Sequence, residues 1–258
     1  MSSDTTTPRV AAGGEAGGGL GLIVRRELGV YARSRGGYVI AALVLAITGL
    51  LFNVDAVGSG SKYSADVLAD FFKDASGVMM VAGILVSMRL IAEERQSGTL
   101  PLLLNSSLTE GQVVVAKFLS AWIFLCVLMA LSLYMPALIF LRGKVSVAHI
   151  GVGYLGLFLL GGATVAIGTF GSAIARTQVV AAIVGASLVV LMLVVWLLAR
   201  IVEGPLGEVF GYLALWDKHF TPFMRGTLAL PGVVYYLSVI ALFLTLARNS
   251  LESRRWST

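Results

Sequence analysis

Six apolar runs dominate the chain, at about 38–56, 74–92, 113–140, 150–175, 178–202 and 231–248, with short polar stretches between them. Each reaches the ~20 residues that a helix needs to cross the hydrocarbon of a bilayer. The pattern predicts an all-α integral membrane protein with six transmembrane helices. The first run starts far from Met1 and is too long for the apolar core of a signal peptide. The third exceeds a straight crossing, so its ends protrude or tilt, or the helix bends near Pro136.

The flanks divide by composition. Residues 1–21 are mostly Ser, Thr, Gly and Ala and read as a disordered tail. Over 22–36, apolar and basic residues alternate at near-helical spacing, which suits a helix lying in the membrane interface. Leu22, Ile23, Leu28 and Tyr31 would turn toward lipid while Arg25, Arg26, Arg33 and Arg35 meet headgroups. A basic flank that merely sets topology is the plainer alternative. The transmembrane domain occupies 37–248, and 249–258 form a polar C-terminal tail. Between the last two spans, 203–230 holds Phe210, Tyr212, Leu213, Leu215, Trp216 and Phe220, too apolar for a free loop. Short helices dipping into the interface and an ordinary packed loop both account for it.

Composition agrees with lipid as the main solvent. Hydrophobic residues make up 57% of the 258 and charged residues 13%, whereas soluble domains carry roughly 45–50% and about 25%. The single cysteine, Cys126, excludes an intrachain disulfide, and two histidines exclude a His-rich metal site. The net charge of +5 does not point to nucleic acid, because the basic residues sit beside apolar spans. With six spans both termini share one side, and twelve of the 19 Lys and Arg lie there. That bias places both termini, and the loop over 93–112, in the cytosol.

Several chemistries are missing. No G-x-x-x-x-G-K-[ST] motif occurs, so the chain has no P-loop for ATP phosphates. A G-x-G-x-x-G match at 151–156 opens an apolar span rather than following a strand. Close helix packing explains it better, as it does the small residues four apart at Gly162/Ala166, Gly168/Ser172 and Gly171/Ala175. Neither His149 nor His219 lies at membrane depth beside a nucleophile, which argues against an intramembrane hydrolase. Lys73 and Asp74 stand at one end of the second span and Arg89 at the other, four residues before Glu93. Charges at span ends usually snorkel or pair locally. A role in a substrate pathway or outer gate is the alternative for Lys73 and Asp74, with Phe210, Trp216 and His219 on the same side. The spans carry no row of acids for a proton relay or ion site, so energy for transport would come from elsewhere.

The polar excursion from Ala92 to Lys117 lies between two spans, with Glu93, Glu94 and Arg95 where a membrane helix ends. Such a loop is well placed to meet a soluble partner. Its residues, with their neighbours along the chain, resemble the permease subunits of ABC-2 type transporters. The similarity is closest to the GldF-like branch, named for bacterial gliding motility. It begins at Arg26-Glu27-Leu28 and Tyr31 and continues through Tyr38-Val39 to Gly49-Leu50-Leu51-Phe52. It is strongest in Glu93-Glu94-Arg95, Gly98-Thr99-Leu100 and Leu102-Leu103-Leu104, followed by Val115, Lys117 and Phe118. Later pieces are His219-Phe220, Arg225-Gly226 and Leu251-Glu252.

The resemblance implies a half-transporter of the ABC-2, type V exporter kind, with six spans, an interfacial helix carrying Arg25, Arg26, Glu27 and Tyr31, and a coupling helix after the second span. Glu93, Glu94 and Arg95 would pair with a separate cytosolic ATPase or with Arg25 and Arg26. Gly98 and Thr99 would make the turn, and Leu100, Leu102 and Leu103 would fill an apolar cleft of that ATPase. The implied partners are two ATPase copies, a second or related permease, and an accessory protein with a periplasmic domain. ATP and Mg would be bound by the ATPase, and this chain would hold no cofactor and perform no catalysis. The implied location is the bacterial inner membrane, with export favoured. Two alternatives are a structural subunit of a motility or envelope complex and a stand-alone transporter or channel.

Overall fold

The computed structural model describes residues 16–57, 63–98, 109–142, 145–202 and 204–255. Over these the chain forms eleven helices and no strand. They are α1 (Ala16–Arg33), α2 (Arg35–Val57), α3 (Ser64–Ser87), α4 (Ala92–Gln96), α5 (Glu110–Leu131), α6 (Tyr134–Arg142), α7 (Val147–Ile174), α8 (Gln178–Ile201), α9 (Pro205–Leu213), α10 (Asp217–Met224) and α11 (Leu230–Arg255). Six spans are long and apolar enough to cross a membrane: α2, α3 with α4, α5 with α6, α7, α8 and α11. The fold is therefore the all-helical, six-span membrane architecture that the apolar runs predict. Both ends of the described chain fall at one face of the bundle, called here the near face; the opposite one is the far face. The tail before residue 16 lies outside the described residues.

Helix starts follow local chemistry. Thr109 and Gln112 form a reciprocal capping box at the head of α5: Thr109 Oγ1 accepts from the Gln112 amide and Gln112 Oε1 from the Thr109 amide. Ser146 caps α7 by accepting from the His149 amide. The overlong third run breaks at Ser132–Leu133, one turn ahead of Pro136, and resumes as α6. The bend near Pro136 thus resolves its length. The Ser132 hydroxyl donates back to Met129 O in the last turn of α5 and lies 3.0 Å from the Tyr154 hydroxyl.

The core is built around α7, 72% buried over its span, with α3, α8 and α11 packed most extensively against it. Small residues let the backbones close in. A Cβ on Gly168 would lie 1.8 Å from Ser87 Oγ of α3, and one on Gly171 would lie 3.0 Å from the backbone nitrogen of Gly185 in α8. The 151–156 glycine run also packs: Gly153 faces the Phe72 ring and Gly156 faces Phe223. By contrast α2 and α8 are only 22% and 17% buried over their spans.

At the far face, α9 and α10 form between the last two spans. Phe220 and Phe223 are fully buried against the bundle. The His219 ring stacks on Tyr235 at 3.8 Å, and its Nε2 lies 2.9 Å from Tyr212 O. Tyr235 and Tyr236 donate to the carbonyls of Leu213 and Leu215. The outer side of α9 keeps Leu206, Val209 and Leu213 exposed, at spacings that share one helix face. The segment is therefore helical, packed inward through aromatics and apolar outward.

Candidate functional site

Polar chemistry concentrates where the second span turns out of the near face. α3 ends at Ser87, the chain turns through Met88–Ile91, and α4 begins. That turn is held from across the bundle by Ser172 on α7. Its Oγ accepts from the amides of Ile91 (3.0 Å) and Ala92 (2.9 Å) and donates to Met88 O (3.1 Å). One hydroxyl thus satisfies donors that open α4 and would otherwise be orphaned. Arg95 reaches the other way, donating to the carbonyls of Ala173 (2.8 Å) and Ala175 at the C-terminus of α7. Those terminal carbonyls carry the negative end of the helix dipole, so a guanidinium there is favourably placed.

Three ion pairs fix the same corner. Arg89 and Glu93 pair at 2.9 Å, four residues apart. Lys117 of α5 is 3% exposed and lies between two carboxylates, Glu94 at 2.8 Å and Glu27 at 3.4 Å. This triad joins α1, α4 and α5. Tyr31, one turn after Glu27, stacks on Phe124 and donates to Val86 O at 3.4 Å. Burial, then the negative charge of Glu27, raises the Tyr31 hydroxyl well above its ordinary pKa, which keeps it a donor.

Two expectations need correction. Tyr31 does not face lipid: it is buried on α5 because Glu27 must point at Lys117, and Tyr31 lies one turn along the same side. Glu93 and Glu94 pair with Arg89 and Lys117, not with Arg25 and Arg26, whose side chains are exposed on the opposite side of α1. Arg25, Arg26 and Arg33 instead share that outer face with Leu22, Val30 and Gly29, lining a shallow open depression.

Gly98 ends this corner at φ +73°, a left-handed conformation that favours glycine. Thr99, Leu100, Leu102 and Leu103 lie outside the described residues, which resume at Thr109. Lys117 and Ser172 hold this corner together, and motif reading gave neither of them that place. A lysine four residues inside the apolar run that starts at Val113 was the available signal, since a charge there needs a partner.

On the far side, Lys73, Asp74, Ser76 and Trp216 sit at one end of a groove of about 630 Å³. The groove runs along α3 and is walled by Ile40, Val44 and Leu51 of α2 and Leu193 of α8. The Trp216 indole donates to Ser76 Oγ at 2.8 Å. Phe210 and His219 do not line it: His219 is locked under Tyr212 and Tyr235, and Phe210 is half-buried on α9. Burial, reinforced by the Lys218 charge, lowers the His219 pKa against the pull of its hydrogen bond to Tyr212.

None of the curated proteins matches the chain. The model of the ABC-2 family transporter proteins matches residues 22–207, which take in most of α1, the corner at α4 and the groove apart from Trp216. With six spans and a match over most of its length, the chain is a multi-pass membrane protein that belongs to the ABC-2 transporter family.

Proposed function

We propose that this chain is the permease subunit of an ATP-driven transporter of the GldF-like branch, moved by a separate ATPase that docks on the loop after α4. ABC-2 permeases generally work with an ATPase subunit, and the sequence of this chain carries no P-loop motif. The observation that carries the reading is the clamped corner. α4 is tied to α7 through Arg95 and Ser172 and to α5 and α1 through Glu94, so it cannot move alone. A partner pressing on Leu100, Leu102 and Leu103 would push a rigid element, and rigid-body shifts are how such motions cross a membrane. In this reading the near face is cytosolic, the membrane is a bacterial inner membrane, and two ATPase copies bind ATP and Mg. A second permease packs beside the thinly covered α2 and α8, and cargo is exported between the two.

Tagged chain purified from native membranes in mild detergent should retain ATP hydrolysis sensitive to vanadate, and Leu102→Asp should lose it while melting like wild type. In a Cys126→Ser background, Thr109→Cys should react with an impermeant thiol reagent in inverted vesicles but not in intact cells. Labelling of Thr109→Cys from outside, or preparations with no hydrolysis above background, would remove the reading.

A further inference from the structure

The groove along α3 has a polar end that the packing of the bundle does not use. Lys73 is exposed and Asp74 half-buried, and neither makes an ion pair or side-chain hydrogen bond with a described residue. Being adjacent on a helix, they diverge by about 100° and do not face each other. Both nevertheless line the same groove, beside the Trp216 indole. From there to Leu85 the α3 wall carries no further charge, and twelve residues at ~1.5 Å each make it ~18 Å long. The facing wall of Ile40, Leu43, Val44, Ile47 and Leu51 is wholly apolar.

We propose that this groove holds one acyl chain of a zwitterionic amphiphile of the phosphoethanolamine type, its phosphate on Lys73 and its ammonium on Asp74. The proposal deepens the transporter reading by naming a class of cargo, and rests on it. Complementarity of charge selects the head. An anionic head would meet Asp74, a cationic head would meet Lys73, and an uncharged head would leave both unsatisfied near hydrocarbon. A phosphate and an ammonium joined by two carbons supply both partners at once, and charge-assisted hydrogen bonds are the strong ones. The length of the apolar strip matches one extended chain running from the far face toward the near face. A second chain, where the amphiphile has one, stays in the bilayer.

The test uses the full chain in nanodiscs without ATPase, so its failure is separable from failure of coupling. The probes are fluorescent lysophosphatidylethanolamine, lysophosphatidylglycerol and monoacylglycerol of equal chain length. The phosphoethanolamine probe should bind ~tenfold or more tightly than the others, and Lys73→Gln or Asp74→Asn should erase that preference without lowering the melting temperature. Val81→Trp, which places a large ring at an exposed groove wall, should abolish binding of all three. Equal affinity for the three heads, or selectivity unchanged in the charge variants, overturns the proposal. So does quantitative Val81→Cys cross-linking between two copies that excludes the probe, since a second copy would then fill the groove.

Discussion

Lys117→Met isolates the triad at the near face. Methionine keeps the length and the apolar stem of lysine and removes the cation. What remains is Glu94 and Glu27, with side chains 16% and 15% exposed, no longer offset by the ammonium that lay 2.8 and 3.4 Å away. Removing one partner of a buried ion pair costs about 3–5 kcal/mol, because the survivor keeps its desolvation penalty. Here both carboxylates lose the ammonium at once, so a loss within that range is expected. For a chain of this size ~1 kcal/mol moves a melting midpoint by about 2–4 °C, so the variant should melt roughly 6–20 °C lower in detergent.

The size of the loss alone does not prove the pairing, so the assay is a double-mutant cycle. Glu94→Gln is combined with Lys117→Met, and each protein is melted by fluorescence-detected size exclusion. Neutralising Glu94 where Lys117 is already gone removes a largely buried charge that has lost its ammonium, so the double variant should be more stable than the sum of the single losses. The coupling should lie within about 0.5–3 kcal/mol. Strict additivity, or a Lys117→Met protein that melts within about 1 °C of wild type, would show that the triad is a surface arrangement of little consequence.

Three other variants probe the rest of the molecule. Gly171→Val drives a branched side chain into the α8 backbone at Gly185 and should cost about 1–3 kcal/mol, whereas Gly151→Ala on the same helix meets nothing and should gain up to ~1 kcal/mol; thermal melts of both decide it. Ser172→Ala leaves the amides of Ile91 and Ala92 without their acceptor, so it should cost about 1–3 kcal/mol and raise hydrogen exchange at the α3–α4 turn above that of distant helices. The lowered pKa of His219 means that folding favours its neutral form. Stability should therefore be full above the ordinary histidine value of 6.5 and be lost as pH falls below it through the folded pKa, a loss that His219→Phe should flatten in melts across that range.

How much of this was legible in the residues depends on the range of the interaction. Runs of apolar residues report span count directly, because the bilayer sets their length. Pro136 and the four-apart small residues are local signals with one geometric consequence each, and bend and close packing follow from them. The triad is different in kind. Glu27 and Lys117 are 90 residues apart, and nothing in the spacing around either says which charge the other meets. The basic stripe at Arg25 and Arg26 offers conspicuous partners for Glu93 and Glu94, yet these arginines lie on the wrong side of α1 once Tyr31 is seated on Phe124. Arg95 likewise reaches a helix terminus, and a helix terminus carries no signature until the helix is placed. At the far face the aromatics announced burial, but not that His219 would be a packing element while Lys73, Asp74 and Trp216 shared a groove.

The two polar regions are joined by the stiffest part of the fold. α4 is fastened to the C-terminal end of α7 through Ser172 and Arg95, within one turn of the Gly168 and Gly171 contacts. At those contacts α7 meets Ser87 of α3 and Gly185 of α8 with no room even for a methyl group. Packed interiors transmit displacement instead of absorbing it, so a shift of α4 must carry α7, and α7 must carry α3 and α8. Those two helices, through Ser76, Val81 and Leu193, are walls of the groove. The remaining wall, α2, is among the least covered spans and joins the bundle through α1 and α3, leaving it the freest to lag behind. A push at the near face should thus change the groove width chiefly at the α2 side. Distance measurements between spin labels at Ile47→Cys and Val81→Cys would register this, and a clamped α4 with no effect on that distance would break the mechanical link.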